Sequence, residues 1–429
     1  MTLEDIYLIY KQFPIITTDS RNCPHNSIFI ALKGENFNGN RFAQAALDKG
    51  CAYAVVDEVE FAGNERIILV ENTLETLQDL ARLHRQKLNT PIIGITGSNG
   101  KTTTKELIYN VLKQKYNVLY TQGNLNNHIG VPLTLLSLTE EHKMAVIEMG
   151  ANHPGEIKIL SEIALPNYGI ITNVGKAHLE GFGSFENIIK TKGELYDYIR
   201  ATGGTIFINA ENPYLMKISN SLNKVKYSLT KKEFVTGHIE NNSPTLALSW
   251  TKENDEQTYY VKSNLIGTYN AENIMAAICI GTYFDIEPKK INEALENYVP
   301  QNNRSQLTKT EHNTLIIDSY NANPTSMEAA IRNFEEMKVE GKILILGDMY
   351  ELGEDSQKEH QKIVHLLEKC RFDYVFLIGK NFAATYTYFY TFADMESFKT
   401  YLQENEFVDF HILIKGSRGM KMEQIIEFL

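Results

Sequence analysis

The segment Gly97-Ser-Asn-Gly-Lys-Thr-Thr-Thr104 sets two glycines, a lysine and a row of hydroxyls between two patterned stretches. Before it, Ile92–Thr96 reads as a buried strand; after it, Thr102–Gln114 has helical spacing. Glycine permits the tight turn that aims the backbone N–H groups of Gly97, Ser98, Asn99, Gly100 and Lys101 inward at an anion. A helix starting near Thr102 and Thr103 adds the positive end of its dipole. Lys101 supplies a point charge for β- and γ-phosphates, and the Thr102 hydroxyl suits Mg²⁺. The chemistry is the holding of a nucleoside triphosphate. The loop is the shorter Thr-Gly-x-x-Gly-Lys-Thr form, because Ile95 stands where the general pattern has its first glycine.

Two further residues are set by the same geometry. Ala145–Met149 is an apolar strand carrying Glu148 near its end, and parallel strands deliver such ends to the edge where the phosphate loop sits. Glu148 is therefore a candidate oxygen ligand for Mg²⁺. His178 follows the strand Gly169–Asn173 and falls beside the same crevice; taken alone, it reads as well as a structural loop histidine. Lys190 and Lys192 lie on one helical stretch, and spacing gives neither a role.

The elements that must position these groups fall into three units. Short apolar runs at 27–32, 52–56 and 66–70 surround one helix at 41–49, and a second helix, 74–87, ends before Asn89-Thr90-Pro91. Strand and helix then alternate through 92–96, 102–114, 145–149, 169–173 and 205–209, which implies a mostly parallel sheet. Between 234 and 266 the alternation looks antiparallel. After Val299-Pro300 a doubly wound unit follows, with strands at 315–318, 342–347, 374–379 and 411–415 and helices at 326–338 and 356–369. The expected division is 1–88, 89–300 and 301–429, all α/β. The central unit would be P-loop-like and the last Rossmann-like.

At 429 residues, 43% hydrophobic and 22% charged, the chain has the composition of an ordinary multidomain globular protein. A net charge of −11 argues against a nucleic-acid partner. No apolar run approaches membrane-spanning length, and the first residues lack a basic signal-peptide region, so a cytoplasmic protein without membrane insertion is expected. Cys23, Cys51, Cys279 and Cys370 are scattered and read as free thiols.

Together these residues resemble the Mur ligase family, ATP-dependent amino-acid ligases of peptidoglycan precursor synthesis, over nearly the whole chain. The phosphate loop, Glu148 and the His178-Leu-Glu run are similar to the family's central domain. Five segments carry a narrower similarity: Gly123-Asn-Leu-Asn-Asn-His-Ile-Gly-Val-Pro132, Glu148-Met-Gly-Ala-Asn152, Ala177-His-Leu-Glu-Gly-Phe-Gly-Ser184, Asp318-Ser-Tyr-Asn-Ala-Asn-Pro324 and Leu346-Gly-Asp-Met-Tyr-Glu-Leu-Gly353. They resemble family members that join D-alanyl-D-alanine to UDP-N-acetylmuramoyl-tripeptide.

The resemblance implies an acyl-phosphate mechanism using ATP and two Mg²⁺ ions. It puts Lys192 in the place of a carbamylated lysine, which with Glu148 and His178 would hold the second ion; Lys101 joins these three as a catalytic residue. It implies Asn270 and Asn273 near adenine, Arg304 at the γ-phosphate and Asp318 on the ribose. Ser20 and Arg21 fall in a UDP-sugar segment, and Asn124, Asn126 and Asn127 line the muramoyl-peptide site. Tyr320, Asn321 and Asn323 would face substrate, and Lys415-Gly-Ser-Arg418 would lie near the incoming peptide. His25-Asn26 departs from the family, where relatives often have glycine. The expected partners are the two substrates, with the chain acting as a monomer. Another ligase of the superfamily, or a regulatory module that binds ATP without ligating anything, is the alternative.

Overall fold

The computed structural model describes residues 1–301 and 303–429. Its architecture follows from three large sheets, each built mainly of short, buried parallel strands, besides a two-stranded antiparallel ribbon, Lys33–Gly34 with Phe37–Asn38.

The first is four-stranded and all parallel, in the order Ile16–Thr17, Ile28–Ile30, Tyr53–Val56, Ile67–Leu69. The helix Thr73–Leu88 follows and ends at Asn89 in the left-handed region, as expected for the segment before Pro91. A helix absent from the sequence reading, Leu3–Gln12, packs here through Ile6, Tyr7 and Tyr10. At the departure from the family, Asn26 has φ 60°, a conformation that glycine or asparagine adopts most readily.

The central sheet has nine strands. From one edge they run Val118–Tyr120, Met144–Glu148, Ile92–Thr96, Tyr168–Ile171, Thr205–Asn209, Asn223–Ser228 and Val235–Asn241, all parallel. Ala247–Lys252 and Tyr259–Lys262 extend the sheet antiparallel, in agreement with the alternation seen between 234 and 266. Successive residues point to opposite faces, so Ile92, Ala145, Ile147 and Ile171 enter one core while Ile93, Ile95, Val146 and Ile170 enter the other. The chain leaves Ile92–Thr96 toward one edge and leaves Tyr168–Ile171 toward the other. A crevice opens between such ends.

The third sheet has six strands: Gln306–Lys309, Thr314–Asp318, His411–Lys415, Lys342–Gly347, Tyr374–Ile378 and Tyr390–Phe392. Only the first pair is antiparallel. The same alternation divides Ile316, Leu344, Leu377 and Leu413 from Leu315, Ile345, Phe376 and Ile414, giving a core on each face. Helices Pro324–Glu336 and Ser356–Leu367 pack on one face and Met395–Glu404 on the other.

Candidate active site

The strand Ile92–Thr96 is wholly buried and ends at the phosphate loop. Gly97 has φ 145°, and a Cβ there would collide with Thr172 Oγ1, so the loop can pass this close to the neighbouring strand only without a side chain. Gly100, φ 76°, turns the chain into the helix Lys101–Leu112. The first-turn N–H groups of Lys101, Thr102 and Thr103 have no partner within the helix and are available to an anion.

The nest is smaller than the sequence reading, which counted amides from Gly97 to Lys101. The amide of Ser98 donates to Asn173 O and that of Asn99 to Asn173 Oδ1, each at 3.0 Å. These bonds, with Thr172 Oγ1 donating to Asn99 O at 2.6 Å, stiffen the loop against the next strand end. Lys101 Nζ folds over the loop, donating to Gly97 O at 2.7 Å and Ser98 O at 3.2 Å. Burial pushes this ammonium below the usual lysine value; Glu148 works against the shift and Arg304 adds to it.

Glu148 pairs in register with Ile95, which brings its carboxylate beside the loop. It is 1% exposed. Oε1 accepts from Asn126 Nδ2 at 2.8 Å and from Thr102 Oγ1 at 3.3 Å. Oε2 lies 3.4 Å from Lys105 Nζ yet has no hydrogen-bond partner. A buried carboxylate oxygen that accepts no hydrogen bond, on a carboxylate whose other oxygen meets a hydroxyl, is a fitting donor for a hard divalent cation.

His178 is in the left-handed region, φ 53°, at the head of the short helix Leu179–Phe182. Its Nδ1 lies 2.5 Å from Glu351 Oε2 of the third sheet's loop, close but not aligned as a hydrogen bond. The same contact holds the Glu351 carboxyl below the usual range. No group of three or more His, Cys, Asp and Glu side chains is gathered for a metal among the described residues. Glu148 and His178 would need other ligand types to complete a set.

The two lysines that spacing left equal separate here. Lys190 is exposed. Lys192, 2% exposed, turns inward on the helix Phe185–Thr202, donates to Ala151 O at 3.3 Å and sits 5.1 Å from the Phe182 ring centroid. Burial, with the Lys101 ammonium adding to it, lowers its amine to about 7. It lies behind the cavity wall formed by Ala151, not on the cavity surface.

These groups edge a cavity of about 890 Å³ between the central and third sheets. Ser98 through Thr103, Glu148 and His178 line one side, with Asn124, Asn126 and Asn127; Arg304, Asp318, Tyr320, Asn321 and Asn323 line the other. Asn270 and Asn273 close one end, bonded to each other at 2.8 Å and, through Asn273 Oδ1, to Thr104 Oγ1 at 2.9 Å. Asn127 Oδ1 accepts the amides of Ile129 and Gly130, so its side chain already caps a turn. Arg304 stacks on Tyr320 at 3.5 Å with its Nε unpaired. Asp318 accepts from Lys415 Nζ at 2.6 Å and Ser305 N at 3.2 Å. Asn323 Nδ2 donates to Asn99 Oδ1 at 2.7 Å, joining the third sheet to the loop itself.

Ser20 and Arg21 are not in this cavity; the Arg21 side chain is 88% exposed and paired with Asp19. Sequence reasoning missed Lys105, although it lies one turn beyond Lys101 on the same helix face, and it assigned no role to Glu351.

A parallel sheet bearing this loop, with a carboxylate, an imidazole and a second α/β unit closing over it, defines a nucleotide-binding enzyme of the P-loop type. The chain belongs to the Mur ligase family. The profile described as Mur ligase middle domain matches residues 95–281, that of the Mur ligase, glutamate ligase domain matches 303–418, and that of the Mur ligase family, catalytic domain matches 12–85. The UDP-N-acetylmuramoyl-tripeptide–D-alanyl-D-alanine ligase of Bacillus subtilis (strain 168) is 36% identical, covering 98% of this chain and 94% of its own. Among solved structures, MurF from Acinetobacter baumannii superposes with a TM-score of 0.86 at 29% identity, covering 96% of this chain and 92% of that one. The MurF ligase of Thermotoga maritima in complex with ADP also gives 0.86, at 26% identity over 96% of each chain.

Proposed function

We propose that this protein is the ATP-dependent, ADP-forming ligase that joins D-alanyl-D-alanine to UDP-N-acetylmuramoyl-tripeptide, giving the pentapeptide precursor of peptidoglycan. The observation that carries the reading is the single cavity in which the phosphate loop, Glu148 and His178 face Arg304, Asp318 and Tyr320 from the third sheet.

A carboxylate is a poor electrophile, so the reaction begins by activating it. A terminal carboxylate oxygen of the tripeptide attacks the γ-phosphorus, the bond to the β-phosphate oxygen breaks, and ADP leaves. The D-alanyl-D-alanine amine then attacks the acyl carbon, the C–O bond breaks, phosphate departs and the amine's proton passes to solvent. Positioning and electrostatics carry most of such a transfer. The free amides of Lys101, Thr102 and Thr103 hold the phosphates. The Lys101 ammonium is released from its loop carbonyls to meet them. Arg304 approaches the γ-phosphate from the third sheet, whose closure also excludes water from the acyl phosphate. Asn270 and Asn273 border adenine, and Asp318 takes the ribose.

Thr102, Glu148, His178 and Lys192 would hold two Mg²⁺ ions, which supply charge neutralisation of the phosphoryl group when bound. Lys192 fits this role after its neutral amine takes up CO₂ and loses a proton, becoming an anionic oxygen donor on a long stem. Residues 1–88 bind the UDP-sugar, through Ser20 and Arg21 among others. Residues 89–300 bind ATP. Residues 301–429 close over it and receive the dipeptide, with Tyr320, Asn321 and Asn323 near both substrates and Asn124, Asn126 and Asn127 at the muramoyl peptide. The enzyme acts as a cytoplasmic monomer; no helix among the described residues is long and apolar enough to cross a membrane.

The test is phosphate release with each substrate omitted in turn. Release is expected only with ATP, the UDP-linked tripeptide and D-alanyl-D-alanine together. Release from ATP alone, or none under any condition, would favour a nucleotide-binding regulatory module.

A further inference from the structure

His178 and Glu351 come from different sheets, and each is a non-glycine residue held at positive φ, 53° and 61°. Such conformations cost free energy and persist where surrounding contacts enforce them, often at functional sites. Here the enforcing contacts cross the boundary between the two units. Glu351 O accepts the amide of Glu180 at 3.2 Å, Gly353 packs on Glu180, and Glu351 Oε2 lies 2.5 Å from His178 Nδ1. Glu351 also lines the cavity that holds Glu148 and the loop. Among the described residues no other group is hydrogen-bonded to this buried nitrogen, and the carboxylate lies within reach of it without yet being aligned as a hydrogen bond.

The geometry points to Glu351 as a positioning residue that completes the metal site only when the third unit is closed. The inference rests on His178 being a metal ligand. A small rotation of the ring aligns this contact, and a carboxylate so placed at Nδ1 keeps the ring hydrogen on that nitrogen, fixes the ring's orientation and leaves the Nε2 lone pair for the cation. Because the carboxylate arrives from the opposite unit, His178 becomes a competent ligand as the cavity closes over ATP. Closure and metal binding are thereby coupled: Glu351 lends the site affinity only in the arrangement that shields the acyl phosphate from water.

The experiment uses full-length protein with a non-hydrolysable ATP analogue and counts bound Mn²⁺ by electron paramagnetic resonance. Five variants are compared with the unaltered chain: Glu351→Gln, Glu351→Ala, His178→Ala, the double variant Glu351→Ala with His178→Ala, and Lys176→Ala. The last breaks a different cross-unit ion pair, that with Glu359 at 3.2 Å. Losing a carboxylate behind a ligating histidine lowers metal affinity roughly 10- to 100-fold. One Mn²⁺ of the complex should weaken by that factor in both Glu351 variants and by at least as much in His178→Ala. Combining Glu351→Ala with His178→Ala should add nothing further, and Lys176→Ala should bind as the unaltered chain does. If His178→Ala loses Mn²⁺ while both Glu351 variants retain it, the positioning role is overturned and His178 keeps its ligand role. If His178→Ala itself binds normally, the ligand role falls first. Weakening by Lys176→Ala to the same degree would reduce Glu351 to one of several interface contacts and also overturn the proposal.

Discussion

Replacing Lys192 with methionine keeps an unbranched apolar stem and removes one buried ammonium. In the folded chain the amine is lowered from 10.5 to about 7, by burial first and the Lys101 charge second. The unfolded chain restores the ordinary value. Between about pH 7 and 10.5 the unfolded state therefore binds more protons than the folded one, and the lysine's contribution to stability rises with pH across that window. At about pH 6 the folded protein carries nearly the whole penalty, roughly 5 kcal/mol at ~1.36 kcal/mol per pH unit. At about pH 9.5 only roughly 1.4 kcal/mol of it remains. The variant forfeits the 3.3 Å hydrogen bond to Ala151 O, worth about 1 kcal/mol. Lys192→Met should thus exceed the parent by roughly 3–4 kcal/mol at about pH 6 and come within about 1 kcal/mol of it at about pH 9.5. The assay is urea denaturation at both pH values in degassed, bicarbonate-free buffer, since CO₂ on the amine would change the charge being measured. A stability difference that stays the same at the two pH values would refute a depressed amine. The proposed uptake of CO₂ by Lys192 near neutral pH would then lose its physical basis.

Two further substitutions probe the loop. Lys101→Ala should lower turnover by more than about a thousandfold, as expected for a group neutralising the phosphoryl charge, with an unchanged circular-dichroism melt; full ligation would remove the ammonium from the mechanism. Lys105→Met leaves Glu148 as a buried anion without its 3.4 Å counter-charge and should cost about 3–5 kcal/mol in urea denaturation. A loss under about 1 kcal/mol would mean that the pair contributes little.

The parts of the fold legible in the sequence were those with local causes. The strands Ile92–Thr96 and Lys342–Gly347 are unbroken apolar runs because parallel strands are buried on both faces, and such runs stand out. The phosphate loop was legible because its glycines, lysine and hydroxyls are contiguous. The helix Leu3–Gln12 went unread although Thr2 and Asp5 form a capping box, since only Ile6, Tyr7 and Tyr10 mark its buried face. Val118–Tyr120 and Met395–Glu404 were missed for similar brevity of pattern.

In the site, the illegible facts are tertiary. The choice of Lys192 over Lys190 depends on how the helix Phe185–Thr202 is rotated against Phe182 and Ala151, which spacing does not encode. The amides of Ser98 and Asn99 are taken by Asn173, 74 or more positions along the chain. Glu351 meets His178 only because two separately wound sheets are brought face to face.

The most direct trial of the chemistry is an isotope count. With ¹⁸O in both oxygens of the tripeptide's terminal carboxylate, one labelled oxygen should leave in each released phosphate, seen by its ³¹P resonance shift, while the new peptide carbonyl keeps the other. Phosphate free of label, with both heavy oxygens lost elsewhere or retained, would contradict phosphoryl transfer to the carboxylate.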